Sequence, residues 1–106
     1  MRSIEDYIQE MQEDSARWFE YDDFTSGRLL TFVLGLCGES GEVADLLKKH
    51  LRGSKTYEEM KEEMVVELID VFHYWCLLIG LLGVDVDAVY QLKREFNVQR
   101  YERGAV

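Results

Sequence analysis

Three features of this 106-residue chain predict an all-α fold. It contains no proline and only eight glycines, so little interrupts a helix. Its apolar residues recur at three- and four-residue intervals, the spacing of one helical face. Capping residues stand where the periodic runs begin. The expected architecture is an antiparallel four-helix bundle-type subunit whose helical core is completed by homo-oligomerisation, with residues 1–106 forming one domain.

The first helix is expected from about residue 3 to 20, on Ile4, Tyr7, Ile8, Met11, Trp18 and Phe19. Residues 21–27 break it, and Thr25 or Ser26 caps a second helix through Leu29, Leu30, Val33, Leu36, Val43 and Leu47. Lys48, Lys49, His50 and Arg52 suit the negative end of that helix, and Gly53 closes it. Thr56 followed three residues later by Glu59 has the form of a capping box, opening a third helix that runs to about Leu82. Gly83 stops it, and Asp85 or Asp87 caps a fourth helix through Val89, Leu92, Phe96 and Arg100 that frays at Gly104. After Met64 the third helix is apolar on nearly every face. Three neighbours from one small chain cover such a helix poorly, and a homodimer or homotetramer supplies the rest.

Twelve basic and 21 acidic residues give a net charge of −9, which repels polymeric nucleic acid and anionic membranes. The longest uncharged stretch, Val71 to Val84, is shorter than the ~18 residues of a membrane span, and the charged N-terminus lacks a signal-peptide core. No membrane association and a cytoplasmic location are therefore expected. Cys37 and Cys76, without metal-motif spacing, read as two reduced core thiols.

The chemistry is carried by acids. Glu39 and Glu42 stand three apart, as do Glu67 and Asp70, so each pair shares a helix face. Glu42 lies 11 residues before Gly53 and Glu67 lies 11 after Thr56; Glu39 and Asp70 are each 14 away. A hairpin turning between these points therefore brings the two pairs level and converges four carboxylates between two helices. Alone, Glu39 and Glu42 would be an ordinary solvated face. Glu67 and Asp70, inside an apolar run without a nearby Lys or Arg, are better explained by a bound cation, because burying unpaired carboxylates is costly. An oxygen-only donor set favours Mg²⁺, with Mn²⁺ as substitute.

On the fourth helix Lys93, Asn97 and Arg100 share a face, and folding that helix back antiparallel would bring Asn97 and Arg100 level with the acids. Without that register they are a solvated basic stripe. Trp18, Phe19, Tyr21 and Phe24 could stack a base or simply pack, His73 could orient a carboxylate or sit in the core, and Lys48, Lys49 and Lys55 could line a phosphate path or cap the second helix.

In order and spacing, Glu39-Ser-Gly-Glu42, Glu67-Leu-Ile-Asp70 and Lys93…Asn97…Arg100 resemble the signature of the all-α MazG-like nucleotide pyrophosphohydrolases, over residues 28–101. The resemblance implies Mg²⁺-dependent hydrolysis of a nucleoside triphosphate to the monophosphate and pyrophosphate, in an oligomer built on dimers, with modified nucleotides or nucleotide pools as the usual targets. It implies that Glu39, Glu42, Glu67 and Asp70 hold the metal and that Lys93, Asn97 and Arg100 contact the nucleotide; of the four acids, Glu39 is our choice for the residue that activates water. The chain departs from many relatives in having Gly38 and Val66 where a second Glu precedes each acidic pair, and Ile69 where a small residue is frequent. A phosphoribosyl-ATP pyrophosphohydrolase-like enzyme shares this architecture, and a non-catalytic helical interaction or regulatory module is the alternative from another class.

Overall fold

A computed structural model describes residues 1–18 and 25–104. Among them are four helices and no strand: α1 (Ile4–Trp18), α2 (Thr25–Leu51), α3 (Tyr57–Leu82) and α4 (Val86–Glu102). The all-α expectation holds. The expected end of the first helix near residue 20, the capping side chains of Thr25 and Ser26, and the aromatic candidates Phe19, Tyr21 and Phe24 lie outside the described residues.

The α2–α3 hairpin is pinned at both sides of its turn. Gly53 adopts φ 83°, a left-handed conformation that glycine takes without strain. Its N–H bonds to the His50 carbonyl at 2.9 Å while Ser54 N–H reaches the Lys49 carbonyl at 2.9 Å, closing α2 as a Schellman motif. His50 Nδ1 lies 3.0 Å from the Lys55 carbonyl and ties the turn across its width. The capping box then starts α3. Glu59 N–H donates to Thr56 Oγ1 and Thr56 N–H donates to Glu59 Oε1, both at 3.2 Å.

From this turn α2 and α3 run antiparallel and make the main interface, with Phe32, Leu46, Met60, Cys76 and Leu77 buried. The helices approach closely where Gly35 meets the ring of Tyr74. Helix α1 packs along another side of α3, with Tyr7 edge-on to Phe72 at 5.6 Å between ring centroids and Gln12 against Gly80. Burial holds the Cys76 thiol up at about 11. Cys37 is exposed, contrary to the expected pair of core thiols, because its side of α2 is left uncovered.

Two features differ from a closed four-helix bundle. Helix α4 makes no packed interface with α1, α2 or α3, and none of its described residues is buried. The α3–α4 connection is short: Gly83 ends α3 in the left-handed region (φ 67°) and the Asp85 carboxylate accepts from Ala88 N–H at 3.2 Å, so both helix ends are capped across three residues. The second feature follows from the first. The radius of gyration is 17.0 Å, against ~13 Å for a compact chain of this length.

Large apolar side chains consequently face outward, among them Leu34 on α2, Val65, Val66 and Ile69 on α3, and Val89, Leu92 and Phe96 on α4. By length and composition alone, α3 also contains a stretch apolar enough to cross a membrane, which the count of uncharged residues did not indicate. That stretch includes both Glu67 and Asp70.

Candidate functional site

The hairpin register places Gly35 opposite Tyr74 and, one and two turns further along α2, sets Glu39 and Glu42 against Glu67 and Asp70. Glu39, Glu67 and Asp70 each bring a carboxylate oxygen within 4.8 Å of the others, and all three are half-buried. Glu42 is exposed, yet its carboxyl reaches Glu67 and completes the group of four.

The electrostatics record the crowding. Glu67 is pushed from 4.5 up to about 7, chiefly by hydrogen bonding with Glu42, then by burial and by hydrogen bonding with Glu39. Glu39 is raised as well, first by burial and then by repulsion from Glu42 and Asp70, partly offset by its hydrogen bond with Glu67. One oxygen of Glu39 and one of Glu67 are buried without a hydrogen-bond donor. Among the described residues, no Lys, Arg or His forms an ion pair with any of the four acids. Three half-buried carboxyls, two with orphaned oxygens, with the exposed Glu42 beside them, form a donor set suited to a hard divalent cation.

Beside Glu67 lies an open groove of about 450 Å³, bounded by Leu46, Lys49, Lys55, Glu63 and Val66. Lys49 is paired with Asp45 at 3.0 Å and Lys55 with Glu63 at 2.7 Å, so both ammonium groups are held along this wall. Lys49 and Lys55 are both candidates in the sequence; that they share a groove with Val66 and Glu67 is seen in the fold.

Other candidates fall elsewhere. Lys93, Asn97 and Arg100 lie on α4, which does not fold back along α3, so the expected register with the acids is absent within one chain. Lys93 lies over the Phe96 ring at 4.7 Å and Arg100 over the Tyr101 ring at 5.2 Å. No hydrogen bond joins His73 to Asp70; its ring lies edge-on to Trp18 and stacked on Tyr74, and its Nε2 is buried without a partner. Neither role expected for His73, orienting a carboxylate or sitting satisfied in the core, describes that nitrogen.

Comparison with known proteins adds kinship to this geometry. The chain is 32% identical over 104 residues to the Gene 37 protein of Mycobacterium phage L5, an overlap covering 95% of this chain and 91% of that protein. The chain belongs to the Gene 37 protein family. No family model and no solved structure matches it. Because the overlap with the phage L5 Gene 37 protein is nearly end to end, it takes in all four helices and the acidic hairpin as one unit. The name Gene 37 protein carries no activity, and the chemistry rests on the acidic hairpin and its groove.

Proposed function

We propose that this chain is a Mg²⁺-dependent nucleotide pyrophosphohydrolase, with Mn²⁺ as a substitute, converting a nucleoside triphosphate to the monophosphate and pyrophosphate in the cytoplasm. The observation that carries the proposal is the convergence of Glu39, Glu42, Glu67 and Asp70 without a protein cation, two of them with buried oxygens that lack a donor. The resemblance of the three ordered motifs to MazG-like enzymes supports the choice of reaction and substrate.

When bound, the metal supplies charge neutralisation for the phosphate oxygens. The protein's own part is to bring Glu39, Glu67 and Asp70 together across the α2–α3 hairpin, with Glu42 beside Glu67. Glu39 acts as the base for the attacking water; burial and its acidic neighbours raise its proton affinity, as that role requires. The groove past Glu67 gives the polyphosphate room, with Lys49 and Lys55 along its wall. Lys93, Asn97 and Arg100 bind the nucleotide and its phosphates.

The proposed enzyme works as a homodimer or homotetramer. Its accessible surface of 7992 Å² exceeds the ~6,200 Å² of a folded monomer of this mass by roughly 1,800 Å². A second copy covers this excess. On this reading the span-like stretch of α3 lies in a protein core, because the two acids within it meet Glu39 and Glu42 on α2.

The test is product analysis across common and modified nucleoside triphosphates, with Mg²⁺ and with EDTA. Monophosphate and pyrophosphate as first products, formed only with the metal, support the proposal. A nucleoside diphosphate as first product contradicts the cleavage position. No hydrolysis of any nucleotide would favour the interaction module, for which the exposed apolar faces would be docking surfaces.

A further inference from the structure

We propose that the cavity where α1 meets the end of α3 is a second binding site, one that takes a small aliphatic amine as its ammonium ion. The site shares no residue with the acidic hairpin and does not rest on the hydrolase reading.

The cavity measures about 370 Å³, within the range of small-ligand sites. Its Gly80 lies ten residues beyond Asp70, which at ~1.5 Å per residue sets it roughly 15 Å along α3 from the acids. Two glycines shape the space. A Cβ at Gly80 would come within 2.5 Å of Gln12 Nε2 and 3.0 Å of an Ile8 methyl, so the missing side chain lets α1 rest on the backbone of α3. Gly83, left-handed at φ 67°, has nothing within 4 Å of where a Cβ would stand and leaves that end of the cavity unfilled.

The electrostatics of this place are one-sided. Helix α3 ends without a basic residue in its last turn, whereas α2 carries Lys48, Lys49 and His50 there. The negative end of the α3 dipole therefore has no side-chain cation of its own. Glu5 reaches the cavity from the first turn of α1, and among the described residues its carboxylate has no ion pair. The basic residue nearest to it in sequence, Arg2, is drawn away to Glu10 and lies over the Tyr7 ring at 4.5 Å. Gln9 gives its amide N–H to Glu13 at 3.1 Å, which leaves its amide oxygen, and Gln12 supplies a second amide beside Gly80.

This chemistry selects the ligand. A carboxylate, two amide oxygens and a helix C-terminus accept hydrogen bonds and favour positive charge, and an ammonium group brings three donors and that charge. Ile8, Ile79 and Val84 add an apolar wall, which a hydrated inorganic cation does not use and a run of methylenes does. An aliphatic amine meets both halves, and the volume limits it to a small molecule.

The experiment titrates 1,4-diaminobutane into the ¹⁵N-labelled full chain in EDTA and follows backbone amide shifts, with 1-butanol and succinate as matched controls. Because an amine also pairs with crowded carboxyls, the titration is repeated on the Glu67→Gln, Asp70→Asn variant. Saturable shifts at Gln9, Gln12, Gly80 and Gly83 are expected in both proteins, with a dissociation constant of ~1 mM or below. Glu5→Gln, a change at an exposed position, is expected to weaken binding by about tenfold, and butanol and succinate to leave these amides unmoved. No saturable shift at these residues, shifts that vanish in the Glu67→Gln, Asp70→Asn variant, an affinity that Glu5→Gln leaves unchanged, or equal binding of butanol would overturn the proposal. Nucleotide hydrolysis plays no part in the readout, so the result stands apart from the fate of the hydrolase reading.

Discussion

Gly35 lies against the ring of Tyr74 so closely that a Cβ at position 35 would come within 3.0 Å of three ring atoms. This contact sits one turn from Glu39 and sets how near α2 and α3 approach at the acidic centre.

Gly35→Ala decides whether that approach matters. Helix propensity alone would stabilise the variant by ~1 kcal/mol, whereas forcing a methyl into a packed contact costs ~1–3 kcal/mol. A lower melting temperature is expected in calorimetry, together with weaker Mg²⁺-induced stabilisation, because spreading the helices separates the carboxyls. A raised melting temperature would show that Tyr74 simply moves aside.

The raised proton affinity of Glu67 has a defined sign. The folded chain holds this proton up to about 7 while the unfolded chain releases it near 4.5. Folded protein therefore binds more protons across that window, and stability falls as pH rises through it. Glu39 acts in the same direction. In EDTA the melting temperature is expected to decline from pH 5 to pH 7 and then level, and Glu67→Gln should flatten the decline. A parent whose stability rises over this range would contradict the crowding of the four carboxyls.

The hairpin and its acids were legible in the sequence because few variables enter. Helical rise is constant, and the turn is fixed by Gly53 on one side and the Thr56–Glu59 box on the other, so counting outward gives the register of Glu42 with Glu67 and of Glu39 with Asp70. The same counting misplaced α4. A three-residue connection with a left-handed glycine does not specify the direction in which the next helix leaves, and the α4 stripe records a need for burial without saying which chain meets it. Cys37 was misread for a related reason, since small apolar side chains on an uncovered helix face look the same in sequence as core residues. Lys49 and Lys55 could be named from the sequence as candidates for a phosphate path, but the groove they share with Glu67 depends on how the turn seats Lys55 against Glu63.

Lys93→Ala and Arg100→Ala are expected to raise the Michaelis constant by roughly tenfold or more, the scale of a lost charge-assisted contact, while Mg²⁺ still shifts the melting temperature. Steady-state kinetics and melts on the same samples separate substrate contact from metal contact. Unchanged Michaelis constants in both would return these residues to a solvated stripe.

The central claim is that the four carboxyls hold a divalent cation, and the paired change Glu67→Gln with Asp70→Asn tests it most directly. The substitutions keep shape and hydrogen-bonding capacity while removing two charges from a crowded centre that has no protein cation to strand. Thermal melts in EDTA and then in Mg²⁺ are the measurement. The account predicts that the variant melts at or above the parent in EDTA, that the parent gains stability with Mg²⁺, and that the variant gains none. A variant that melts well below the parent in EDTA, or that gains as much from Mg²⁺ as the parent does, would contradict the assignment.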